Sequence, residues 1–142
     1  STLDGGRLSI AAIGLGLAQG SYEMAVDYAQ KRKQFGKSLA EFQVTSFKLA
    51  EMAMKIELAR NMLYHTCRLK EAGLPFGKQA AMSKLYCSDI AREIAGESLQ
   101  IHGAFGFLRE NHIERFYRDQ RLLSIGEGNS EILKMVISRH IL

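Results

Sequence analysis

The 142-residue chain has no tryptophan, a single proline (Pro75), and only three valines and three threonines (Val26, Val44, Val136; Thr2, Thr45, Thr66). So small a supply of β-branched residues disfavours a sheet protein. With one proline, long stretches are free of helix breakers. Cysteine is scarce too: Cys67 and Cys87 lack CxxC spacing, which predicts two reduced, buried thiols in a reducing compartment, bacterial cytoplasm or mitochondrial matrix. The longest uncharged stretch lies between Arg7 and Glu23 and is interrupted by three glycines and Gln19. It falls short of the roughly 20 residues a membrane span needs, so no transmembrane helix is expected. No basic segment leads into an apolar core with a small-residue cleavage site, so no signal peptide is expected either. Neither sign of charge dominates. Lys and Arg number 19 against 15 Asp and Glu, and the resulting +4 suits an anionic ligand without demanding nucleic acid.

Metal chemistry finds no support in the histidines. His65, His102, His112 and His140 form no HxxxH or HExxH pair, and none of the eleven glutamates is followed by histidine three residues later, as a di-iron bundle requires. No metal site is expected, and each histidine reads as a capping or surface residue.

What the chain does have is helix. Hydrophobic residues make up 46% and charged residues 24%, enough for one compact domain with a core but too short for two. Leu8, Ala11, Leu15, Tyr22, Val26 and Ala29 recur mostly at three- and four-residue steps and predict a helix from about Asp4 to Lys31. Ser38-Leu39-Ala40-Glu41 reads as a capping box opening a second helix. Phe47, Ala50, Met54 and Leu58 stripe one face of that helix, and Ala72-Gly73-Leu74-Pro75 stops it with a left-handed glycine followed by proline. A third, from about Lys78 to Gln100, carries a narrow face of small residues with Ala81, Leu85, Ser88, Ala95 and Leu99. His102-Gly103-Ala104-Phe105-Gly106 breaks the pattern. A short helix over 114–121 and a final one from Ser130 to His140 complete it. The expectation is an all-α, up-and-down bundle of three long helices plus shorter C-terminal ones, a single domain over residues 1–142.

Three segments invite a chemical reading. Gly14-Leu15-Gly16-Leu17-Ala18-Gln19-Gly20 has GxGxxxG spacing inside a helical pattern, not GxGxxG after a strand, so it predicts close helix packing and not a dinucleotide fold. Lys31-Arg32-Lys33-Gln34-Phe35-Gly36-Lys37 gathers four cations and an aromatic ring. It serves either as favourable charge at a helix C-terminus or as a phosphate clamp, with an arginine fork for a pyrophosphate and Phe35 for a ring. Glu127 stands between Gly126 and Gly128 where a helix opens. It either favours the positive helix N-terminus or, held in an apolar pocket where desolvation makes a carboxylate a stronger base, acts as a general base.

Seven segments together resemble the C-terminal helical domain of the acyl-CoA dehydrogenase family, in the same order across the chain: residues 3–7 (LDGGR), 28–37 (YAQKRKQFGK), 42–43 (FQ), 48–52 (KLAEM), 100–106 (QIHGAFG), 118–119 (RD) and 125–132 (IGEGNSEI). The resemblance implies an FAD-dependent oxidation of an acyl-CoA thioester to the trans-2-enoyl-CoA. Glu127 takes the place of the base that removes the α-proton while the β-hydrogen leaves as hydride to the flavin. Asp4, Arg7 and Gly128 match substrate contacts. Arg32, Phe35 and Gln43 match residues holding the FAD diphosphate and adenosine, and Gln100, Gly103 and Ala104 match a loop that touches it. Asn129 and Glu131 match FAD contacts beside the base, at a helix N-terminus whose backbone donors suit phosphate. These sets act across a subunit interface in the family, which implies a homo-oligomer, commonly a dimer of dimers, and electron-transferring flavoprotein as redox partner.

Some family members carry the base just before the arginine matched by Arg7, where this chain has Gly6. Gly126 stands where many relatives have tyrosine, Asn129 replaces a threonine, and Ala104 replaces the second glycine of a pair. The resemblance further implies that the chain is the C-terminal part of a longer flavoenzyme. The alternatives are a non-catalytic helical oligomerisation module, or a relative with acyl-CoA oxidase or flavin monooxygenase chemistry.

Overall fold

The computed structural model describes residues 2–142, and among them almost all of the ordered backbone is helical. Three long helices dominate: α1 (Thr2–Lys31), α2 (Gln43–Glu71) and α3 (Gly77–His102). A single turn, α4 (Ala104–Phe107), a short helix, α5 (His112–Asp119), and a 3-10 stretch over Gln120–Ser124 lead to α6 (Ser130–Ile141). The expected all-α bundle is what forms.

The core lies where the three long helices meet. Leu8, Ala11, Leu15 and Ala18 of α1, Met52, Ile56, Ala59 and Leu63 of α2, and Ala80, Cys87, Ile90 and Ile94 of α3 form one buried cluster. Alanines that are fully buried on both α1 and α3 bring those two backbones close. Two glycines of the GxGxxxG run take part. A Cβ at Gly14 would lie 2.9 Å from the Cys87 carbonyl oxygen, and one at Gly20 2.7 Å from the Phe116 ring, whereas Gly16 faces open space.

Four expectations need correction. The stripe Phe47, Ala50, Met54 and Leu58 is exposed, and α2 instead buries Met52, Ile56, Ala59, Leu63 and Thr66. Both faces of this helix carry apolar residues at helical spacing, and only the tertiary partners decide which one turns inward. Secondly, the Ser38-to-Glu41 box closes a 3-10 turn (Leu39–Glu41), with the Glu41 carboxylate accepting from Ser38 N–H at 2.7 Å and from its hydroxyl at 3.0 Å, and α2 starts only at Gln43. Thirdly, Cys67 is exposed; only Cys87 is buried. Lastly, His102 is neither a cap nor a surface residue. It is buried in the last turn of α3, stacked on Tyr28 at 4.5 Å between centroids.

Candidate active site

Glu127 sits on the loop between the 3-10 stretch and α6. Its φ is +56°, and Gly128 follows at +93°. A left-handed backbone at a residue with a side chain costs roughly 1–2 kcal/mol, so the fold holds Glu127 there against a local preference. Its carboxylate lies against the first turns of α1: a Cβ at Gly6 would sit 2.5 Å from Glu127 Oε2 and 2.9 Å from Cδ. The two chain positions at which the resemblance expects a base therefore converge on one point, and the glycine at position 6 leaves Glu127 its space. Glu127 is exposed in this chain, so the apolar pocket expected around it is not made by these residues alone.

Beside Gly6, Arg7 is buried, at 7% exposure, and its Nη1 donates to Asp4 Oδ1 at 2.9 Å. The Arg7 Nε is buried and has no hydrogen-bond partner among the described residues. Asp4 lies inside the first turn of α1 rather than capping it. Asn129 is the N-cap of α6, its Oδ1 accepting from the Ile132 N–H at 3.0 Å, the role a threonine would also fill. Glu131 follows in the first turn, lining a polar cleft with Arg92, Arg121 and Lys134.

Sequence reasoning missed Lys84. Its side chain is fully buried, and Nζ donates to the Gly128 carbonyl at 2.6 Å. Burial and then the nearby Arg7 charge hold its pKa below the ordinary lysine value, against the pull of Asp89 and Glu127. The signal was there: Lys84 falls between Ala81 and Ser88 on the small-residue stripe of α3, a cation on a buried face.

The other matched residues gather at the opposite end of α1. Arg32 follows Arg7 by 25 positions, and a helical rise of about 1.5 Å per residue separates the two groups by about 40 Å. Here Lys33–Gln34 and Lys37–Ser38 form a two-stranded antiparallel hairpin, an element absent from the sequence reading. Phe35 (φ +53°) and Gly36 (φ +81°) make its turn, with the φ signs of type I′. The turn normally opens with Asn or Asp, so phenylalanine concealed it. The Phe35 ring is 91% exposed at the tip.

Of the basic run only Lys31 ends α1, paired with Asp27 at 2.7 Å. The Arg32 guanidinium lies 5.6 Å from the Phe105 ring centroid, which joins the hairpin end to the loop of Gly103 and Ala104. Gly103 has φ +59° and ψ −139°, a conformation essentially confined to glycine, and a Cβ there would meet nothing within 4 Å. Gln100 lines a cleft with Val44 and Thr45, next to the exposed Gln43. An exposed guanidinium, an exposed ring and an open backbone cradle are the donor set that a dinucleotide's phosphates and adenine would use.

The bundle thus holds a carboxylate in a strained loop at one end and an exposed arginine and aromatic ring at the other. The family model for "Acyl-CoA dehydrogenase, C-terminal domain" matches residues 1–142, and the chain belongs to this family. It is 48% identical to a probable acyl-CoA dehydrogenase of Bacillus subtilis, over 99% of this chain and 37% of the relative. It is 44% identical to a subunit of the caffeyl-CoA reductase–Etf complex of Acetobacterium woodii, again over 99% and 37%. Among solved structures, butyryl-CoA dehydrogenase from Megasphaera elsdenii superposes with a TM-score of 0.97 at 43% identity, covering 99% of this chain and 37% of that one. The chain thus spans just over a third of the length of these relatives.

Proposed function

We propose that this chain is the C-terminal domain of an FAD-dependent acyl-CoA dehydrogenase in which Glu127 is the catalytic base. The observation that carries the reading is the placement of the Glu127 carboxylate against Gly6, one residue from the buried Arg7. Two features that the family resemblance assigned separately, base and substrate contact, meet at one place.

The reaction is the α,β-dehydrogenation of an acyl-CoA thioester to the trans-2-enoyl-CoA. Glu127 takes the α-proton onto a carboxylate oxygen as the Cα–H bond breaks. The thioester acidifies that proton only modestly, so water exclusion by the substrate strengthens the base when it is needed. FAD, when bound, supplies the two-electron acceptor for the β-hydrogen. Arg7 and Asp4, as a fixed pair, bind the acyl-CoA, and the backbone at Gly128 orients it. Arg32, Phe35, Gln43, Gln100, Gly103 and Ala104 would hold the FAD diphosphate and adenosine, with Asn129 and Glu131 contacting FAD beside the base.

The roughly 40 Å between the two groups supports a shared arrangement in which one chain's hairpin end completes its partner's flavin site. A homo-oligomer, a dimer of dimers, follows from that reading. The name of the Acetobacterium relative, a subunit of a reductase–Etf complex, supports electron-transferring flavoprotein as redox partner. A reducing compartment, bacterial cytoplasm or mitochondrial matrix, suits the two free cysteines.

The test is anaerobic stopped-flow reduction of the flavin by acyl-CoA in the full-length protein. Glu127→Gln is expected to slow reduction by about 10²–10⁴-fold, the range of a general base, while flavin content stays intact. Unchanged reduction would reject the assignment.

A further inference from the structure

One costly buried side chain in this domain has no part in the proposed reaction. Lys84 is completely buried in the first third of α3, near a second cation, Arg7. Burying an amine of this kind works against folding, and replacing a buried charged group by an apolar one of similar volume is often neutral or stabilising. Stability therefore does not account for it. Its geometry does: Nζ reaches across the chain to the carbonyl oxygen of Gly128, the residue directly after Glu127, at 2.6 Å.

The loop needs such a tie. Its backbone hydrogen bonds run up to Gly126, whose N–H donates to Leu122 O, and resume at Asn129, whose carbonyl accepts from Leu133. Between these points lie the two consecutive positive φ angles of Glu127 and Gly128. Across that strained pair, the Lys84 contact fastens the peptide to the rigid α1–α3 core. Donation does not depend on charge, because both the ammonium and the neutral amine keep an N–H for the carbonyl. Arg7 repels the ammonium form, while Asp89 and Glu127 favour it.

We propose that Lys84 is a positioning residue that locks the Gly126–Gly128 loop, and so aims the Glu127 carboxylate at the space beside Gly6. The inference rests on the reading of Glu127 as the base. It assigns Lys84 no contact with substrate.

Lys84→Met in the full-length, flavin-loaded protein is the test, with Lys84→Gln keeping a shorter donor. For Lys84→Met the melting temperature and flavin content are expected to hold or rise. Amide hydrogen exchange over residues 125–129 should accelerate about tenfold, with protection of α1 and α3 unchanged. Flavin reduction at saturating acyl-CoA should slow about tenfold or more, while the half-saturating concentration moves less than about threefold, because aim is lost and binding is kept. Lys84→Gln should recover part of the rate. Wild-type exchange or a wild-type rate in Lys84→Met overturns the proposal. So does a variant that loses its fold or flavin, since the lysine would then be structural. Glu127→Gln run alongside separates the two readings: if it reduces flavin normally, the base assignment fails, whereas if it is slow and Lys84→Met is normal, only the role of Lys84 fails.

Discussion

Glu127 and Gly6 depend on each other at the scale of single residues. The carboxylate occupies the volume that any side chain at position 6 would need, so a base on the loop and a base on α1 are alternatives at one point in space. Glu127 was legible because the Gly-Glu-Gly run interrupts helical periodicity with a lone charge. For Lys84 only the burial was legible, from its place on the small-residue stripe; its role is set by a carbonyl 44 residues further on, a distance no local pattern spans. Cys87 shows burial acting on chemistry. Desolvation pushes its thiol up to about 12, so it stays protonated and unreactive at physiological pH. Peptide mapping after alkylation of the native protein at pH 9 should leave Cys87 unmodified, and labelling in denaturant should be complete. Modification of the native Cys87 would show that α1 and α3 open far more readily than their packing implies.

The elements illustrate how far periodicity carries. The three long helices and the left-handed stop at Gly73 (φ +70°) were readable from spacing and punctuation. The inward face of α2 was not, because two apolar stripes compete along it and the choice belongs to α1 and α3. The 33–38 hairpin escaped notice because its turn opens with phenylalanine at positive φ. That choice works against local stability, and on the proposed function the exposed ring, edge-on to Phe42 at 6.3 Å, is kept for the adenosine of FAD. Phe35→Asn supplies the residue that the turn prefers. It should stabilise the protein by roughly 1 kcal/mol, from the cost of a left-handed non-glycine residue, and it should lower the flavin content of the purified full-length protein. Thermal denaturation and flavin absorbance check the two halves of this prediction, and a variant that is less stable or fully loaded would contradict it.

The whole molecule presents apolar surface that a lone domain would not keep. Val44, Phe47, Met54 and Leu58 are 56–68% exposed along α2, and Leu58 continues into a groove with Met62, Met82, Leu85, Tyr86 and Ile137. In the proposed homo-oligomer, this surface is what copies of the chain would cover, with the two proposed ligand ends about 40 Å apart. Leu58→Asp in the full-length protein should lower the oligomeric state, read by analytical ultracentrifugation; an unchanged mass would place the interface elsewhere. On the proposed mechanism the α-proton is taken at the point where loop and α1 converge, by whichever residue carries a carboxylate there. The measurement that tests it most directly is the rate of flavin reduction by acyl-CoA in Glu127→Gly and in the double variant Gly6→Glu with Glu127→Gly. The single variant should be slowed by about 10²–10⁴-fold, and the double variant should regain at least about a tenth of the lost rate from the other side of the same space. A double variant as slow as the single one, in folded and flavin-loaded protein, would contradict the account.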